Sequence, residues 1–130
     1  MNDPIGDFII RIKNAGSVKK ASFTVPSSKM KLAIAELLSA KGYLGAVTKK
    51  TKGSSKYLNI ELLYTEEGKP KVTGVKRISK PSRRLYEGAK KIKRFRKGFG
   101  LSVFSTPKGI MADMDAKKSN IGGEFLFNIW

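Results

Sequence analysis

The 130 residues contain no cysteine and no histidine, and only ten acidic side chains. Without cysteine there is no disulfide, no thiolate nucleophile and no Cys-ligated zinc. Without histidine the usual general base near neutral pH, the usual partner of serine nucleophiles and the commonest metal ligand are missing together. The carboxylates that remain are scattered, and Glu66-Glu67 and Asp113 with Asp115 sit beside turn signals rather than forming an acid/base pair. Hydrolytic chemistry therefore lacks its best tools. Also absent is any run near the roughly 18 consecutive apolar residues of a membrane-spanning helix. The opening MNDPIGDFII has no basic n-region and no long apolar h-region, and its early aspartates argue against an organellar transit peptide. The expectation is a chain that stays in the compartment where it is made.

What the sequence has in excess is positive charge. Lysine and arginine number 27 against the ten acids, a formal +17, which repels itself in a compact state unless a polyanion neutralises it. Nucleic acid is the leading partner class, with an anionic membrane surface as the competitor. The charge is concentrated: Lys69 to Gly98 holds 13 cations against the single anion Glu87, a net +12 in 30 residues. Arg83, Arg84, Lys90, Lys91, Lys93 and Arg94 are interleaved there with Leu85, Tyr86, Ile92 and Phe95. Cationic heads on packed aliphatic stems can track a phosphate backbone, whereas a merely solvated face has no reason to accept such self-repulsion. A thinner cluster, Lys29 and Lys31, falls at the start of an expected helix, where backbone N–H groups also favour an anion.

Apolar residues make up 40% of the chain, enough for one domain core or for two small lobes. Ile5, Phe8, Ile9 and Ile12 have helical spacing, with Asn2 or Asp3 as cap, Pro4 in the first turn and Gly16 as stop. ASFTV reads as a strand closed by Pro26. Ser27 or Ser28 caps a second helix with Met30, Ile34, Leu37 and Leu38 on one face and KGY at its end. Strands are predicted at residues 43–49 and 56–64 around a flexible KKTKGSSK. KVTGVKRIS reads as a strand compatible with a bulge at Gly74, SRRLYEG as a short strand, and AKKIKRF as one or two helical turns ending at Gly98. LSVFS and GIMA pair around TPKG, MDAKKSN is a short helix or turn capped by Asp113, and GEFLFNIW is the last strand. Strands cluster instead of alternating with crossover helices, so the fold class is α+β: a mixed N-terminal lobe over 1–66 and a mainly β lobe over 67–130.

Ser105-Thr106 in VFSTPKGIM has three readings. As a nucleophile it lacks a histidine, and a Ser-Lys dyad with Lys108 needs a dry, specific geometry that a basic loop rarely offers. As a turn, Ser, Thr, Pro and Gly suffice by composition. As a grip on a ligand, the hydroxyls meet base edges, 2′-hydroxyls or phosphates while Lys108 adds charge and Gly109 admits a close backbone. IGGE, Ile121 to Glu124, poses the same choice between shaping a turn and admitting a ligand.

The ordered set DPIGDFIIRIKNA, VPSSKMK, VTGVKRISKPSRRLY, STPKG with MAD, and GGE before a strand ending in Trp130 closely resembles the bacterial type of ribosomal small-subunit protein eight, nearly end to end. That resemblance implies a two-lobed α/β protein without a cofactor, cytoplasmic and in the ribosome. It would bind the central domain of 16S rRNA early in assembly, mostly through the C-terminal lobe, beside neighbouring ribosomal proteins, and in some bacteria repress its own operon's messenger RNA. By matching motif, Ser105 and Thr106 are implied as principal RNA contacts, Lys108 as a phosphate neighbour and Tyr86 as a stacking or hydrogen-bonding surface. Gly122, Gly123 and Glu124 belong to the same implied site. Arg11, Asn14, Ser28, Lys29 and Lys31 lie in motifs that approach RNA backbone. The family pattern usually reads Ser-Thr-Ser-Lys-Gly, and Pro107 here replaces the second serine. AKKIKRFRKGFG is more basic than that part of the family leads one to expect.

Overall fold

Asp3 starts the first helix: its Oδ1 accepts the Gly6 amide at 3.2 Å, satisfying one of the orphan donors of a helix start. Asn2, the other capping candidate, lies outside residues 3–130, which this computed structural model describes. Helix α1 (Pro4–Ser17) buries Phe8, Ile9, Ile12 and Ala15, the expected apolar stripe. It does not stop at Gly16. A Cβ there would stand 3.2 Å from the Pro70 side chain, so this glycine serves packing, and Lys19 takes the left-handed conformation instead, with φ +57°.

Strand β1 (Ser22–Pro26) leads to helix α2 (Lys29–Ala40), capped by Ser28, whose hydroxyl accepts the Lys31 amide at 3.1 Å. Gly42, at φ +86°, closes the helix in the left-handed position that glycine adopts without strain. Ile34, Ala35 and Leu38 are buried, whereas Met30, expected on that face, is 37% exposed. Strands β2 (Leu44–Lys52) and β3 (Ser55–Leu62) form a hairpin whose loop is only Gly53-Ser54, with Gly53 at φ +63°. KKTKGSSK is thus not a flexible linker. Six of its eight residues are strand, because a tight turn with glycine in its first position needs only two. The antiparallel sheet runs β1-β3-β2, and α2 packs on β2.

The chain divides between Thr73 and Gly74 instead of at 66/67. A bridge between Tyr64 and Pro70, with the Lys71 amide bonded to the Leu63 carbonyl, keeps this stretch with Asp7–Thr73. Residues 3–6 group with Gly74–Trp130. The second unit holds β4 (Val75–Arg77), β5 (Tyr86–Glu87), β6 (Leu101–Thr106), β7 (Gly109–Ala112), helix α3 (Asp113–Lys118) and β8 (Gly123–Ile129). Its antiparallel sheet runs β4-β8-β6-β7, with β5 also on β8. The α+β class holds.

Two local expectations change here. Gly74 makes no bulge: its N–H and C=O pair with Trp130, and a Cβ at this position would lie 2.4 Å from the indole. The register shift lies in β8, where Leu126 is the extra residue between Phe127, opposite Val103, and Phe125, opposite Phe104. Asp113 does not cap α3 from outside; it is the helix's first residue, buried, and its Oδ2 accepts the Phe95 amide at 2.8 Å. As expected, AKKIKRF gives two short helical turns ending at Gly98, both 3₁₀, Ala89–Lys91 and Phe95–Gly98, around a fully buried Ile92 that packs with Phe104 and Ala116. Among the described residues no helix is long and apolar enough to cross a membrane.

Candidate nucleic-acid interface

Alternation along β6 decides what can act together. Ser102, Phe104 and Thr106 face one side of the sheet, and Leu101, Val103 and Ser105 the other. The Leu126 bulge shifts the parity of β8, so Glu124, and not Phe125, comes opposite Ser105. Tyr86 on β5 pairs with Glu124 from the other side. Cross-strand partners share a face, so Ser105, Glu124 and Tyr86 form a row over about 10 Å, two strand spacings.

Each member of the row is in a different state. Tyr86 is 70% exposed. The Ser105 hydroxyl is half-buried and has no hydrogen-bond partner among the described residues. The Glu124 carboxylate receives the Ser79 hydroxyl and Arg84 Nη1, the latter at 3.1 Å, and Ser79 in turn accepts the Leu85 amide. With its charge met by a half-exposed Arg84, Glu124 opposes an approaching phosphate less than a bare carboxylate would.

Thr106 differs from its neighbour. Its hydroxyl donates to the Gly109 carbonyl at 2.7 Å and accepts the Lys108 amide at 3.2 Å, so it closes the β6–β7 turn. Pro107 occupies the second turn position, for which its fixed φ is suited, and Gly109 takes φ +111°. Lys108 is exposed at the tip. Turn and grip are therefore divided between adjacent residues: Thr106 builds, and Ser105 is free. The glycines of IGGE let neighbouring backbone come close. A Cβ at Gly123 would lie 2.2 Å from the Ser105 carbonyl oxygen, and one at Gly122 would lie 2.4 Å from that of Glu87.

The basic segment lies on the opposite face of this sheet. Lys90, Lys91, Lys93 and Arg94 rim a cleft over Phe104 and Phe125. Lys117 Nζ, bonded to the Ile92 carbonyl at 3.0 Å, and the Asp113–Phe95 bond pin the segment there. Arg83 is exposed in a small turn closed by bonds with Lys80. Sequence reasoning missed Ser102, Asn128 and Arg96. The first two are buried polar residues inside apolar strands, a signal visible in LSVFS and FLFNIW. Arg96 stacks over the Trp130 ring at 4.3 Å and the Phe95 ring at 5.4 Å.

In the unit Asp7–Thr73, the Ser28 hydroxyl is spent as a helix cap. Arg11 Nη1 and Lys31 Nζ donate to the carbonyls of Thr24 and Pro26, at 3.3 and 3.5 Å. Odd-numbered residues from Ala21 to Ser27 bond β3, so these two carbonyls turn toward the open edge of β1, and the two cations cover it. Asn14 lines a shallow cleft with Arg11, Lys20 and Phe23, and Lys29 is exposed. Among the described residues no group of three or more Asp or Glu could hold a metal ion.

A family model described as ribosomal protein S8 matches residues 3–130. The small ribosomal subunit protein uS8 of Ruegeria pomeroyi is 44% identical over 131 residues, covering all of both chains. Those of Chloroflexus aggregans and Roseiflexus castenholzii are each 43% identical, covering all of this chain and 98% of theirs. A match of this extent, over a two-unit α+β chain with these motifs in this order, shows that the protein belongs to the ribosomal protein S8 family.

Proposed function

We propose that this protein is a structural constituent of the small ribosomal subunit that binds the central domain of 16S rRNA directly and supports early subunit assembly. Family membership supports the ribosomal role, and a family of ribosomal proteins leaves the hydroxyls a binding role, not a catalytic one. The observation that carries direct recognition is the row on β5, β8 and β6: an unpartnered Ser105 hydroxyl and an exposed Tyr86 ring flanking a carboxylate already met by Arg84. Such a row offers a hydrogen-bonding group and an aromatic face at fixed spacing, which suits a locally opened RNA helix with bases or 2′-hydroxyls displayed. Regular A-form RNA hides its major groove from side chains, so selection rests on shape and exposed edges.

Lys108, Arg83, Arg84 and the segment from Lys90 to Arg94 supply the phosphate contacts. Their attraction comes from released counterions and does not depend on sequence. Arg11, Asn14, Lys29 and Lys31 add backbone contacts from the other unit. Neighbouring ribosomal proteins and, as a repressor target, the messenger of its own operon complete the proposed partners. Hydroxyl-radical footprinting of the protein on 16S rRNA tests the reading. Protection confined to one folded region of the central domain is expected, and uniform protection along the RNA contradicts it.

A further inference from the structure

The cleft on the face opposite the Ser105 row is built for more than phosphate. It measures about 670 Å³, within the usual range of small-ligand sites. Five cations, Lys90, Lys91, Lys93, Arg94 and Arg96, line it, and none is ion-paired among the described residues. Its aromatic lining is Phe95, Phe104 and Phe125, the last two with ring centroids 4.7 Å apart, and Phe125 is only half-buried. In its wall Asn128, just 9% exposed, accepts the Ser102 hydroxyl on Oδ1 at 2.6 Å. The Nδ2 group has no hydrogen-bond partner among the described residues, and Asn128 is part of the cleft lining.

We infer that this cleft takes one unpaired nucleotide of RNA, its phosphates on the cationic rim, its base against Phe125 and its base edge accepting from Asn128 Nδ2. A phosphate alone would leave the aromatic surface and the Asn128 amide without a role. Glu87, the one anion on the lining, is explained by the same ligand: every base carries N–H groups that a carboxylate can accept. The site is distinct from the Ser105 row and does not need it.

The test is fluorescence anisotropy of a labelled, unstructured uridine hexamer with the full chain. Asn128→Asp keeps the acceptor for Ser102 and replaces the donor by a carboxylate; it is expected to lower hexamer affinity about tenfold, the loss of one hydrogen bond to the base together with repulsion of its acceptor edge. Unlabelled hexamer should compete far better than uridine 5′-monophosphate if an RNA chain is the ligand, and equal competition by the mononucleotide would assign the cleft to free nucleotides instead. Inorganic phosphate competing as well as the mononucleotide overturns the inference, as does wild-type hexamer affinity in a folded Asn128→Asp variant. Should that variant not fold, the wild-type chain decides: the Asn128 side-chain amide resonances shift on titration with the hexamer, and unmoved resonances overturn the inference.

Discussion

Arg77 clasps Asp3 through two parallel hydrogen bonds, Nε to Oδ2 at 3.1 Å and Nη2 to Oδ1 at 3.3 Å, while its Nη1 donates to the Leu126 carbonyl at 2.6 Å. One guanidinium thus ties the cap of α1 to β4 and to the bulge that sets the register of β8. Burial alone would raise the Asp3 carboxyl, but the Arg77 hydrogen bonds, the Gly6 amide and the charges of Arg77 and Arg84 outweigh it and hold the group below its ordinary 3.8. A carboxylate depressed in the folded state stabilises it above the unfolded pKa, and that contribution disappears as pH falls through the folded value. Arg77→Met is expected to cost about 1.5–3 kcal/mol at pH 7, the scale of charged hydrogen bonds. Denaturant titrations at pH 7 and below 3.8 check this: the difference between wild type and variant should shrink on acidification.

Gly123→Ala forces a Cβ against the Ser105 carbonyl, which is backbone and cannot swing aside. Overpacking of this kind costs about 1–3 kcal/mol. The β6–β8 pairing that aligns Ser105 with Glu124 should loosen with it. Thermal melts and amide hydrogen exchange on β6 measure both effects.

Pro107→Ser removes a residue that pre-sets its turn and frees the unfolded chain, an expected loss of about 0.4–1 kcal/mol. The same change restores the hydroxyl usual in the family pattern. Affinity for the cognate RNA should therefore hold or rise while the melting temperature falls, and calorimetry with and without RNA separates the two.

Lys91→Gln with Arg94→Gln addresses the electrostatic half of the interface. For every phosphate no longer neutralised, the slope of log affinity against log salt should fall in magnitude by about 0.7–0.9. An unchanged slope in binding titrations from low to moderate salt removes this segment from the interface.

The sequence made the elements legible where local chemistry decides them. The stripe Phe8, Ile9, Ile12, the Ser28 cap and the TPKG hairpin each rest on residues within a few positions of one another. It was least informative where distant chain decides. Gly16 reads as a helix stop, yet it answers to Pro70; Gly74 reads as a bulge, yet it answers to Trp130. The bulge at Leu126 has no local mark at all, and with it the pairing of Ser105 with Glu124 was out of reach. For the same reason the basic segment and the hydroxyls, close in sequence pattern, were not separable onto opposite faces of the sheet. Family resemblance brought Tyr86 and Glu124 into one site, and strand register supplies the physical reason.

Recognition by the Ser105 row, over and above charge, is tested most directly by comparing Ser105→Ala with wild type on a 16S rRNA central-domain fragment and on an unrelated structured RNA of equal length. The hydroxyl has no partner among the described residues, so its removal should leave the melting temperature unchanged. It should weaken cognate binding by about 1–3 kcal/mol, the scale of an orphaned hydrogen-bonding group. The unrelated RNA should bind as before. Equal losses on both RNAs, or none on either, would contradict the account.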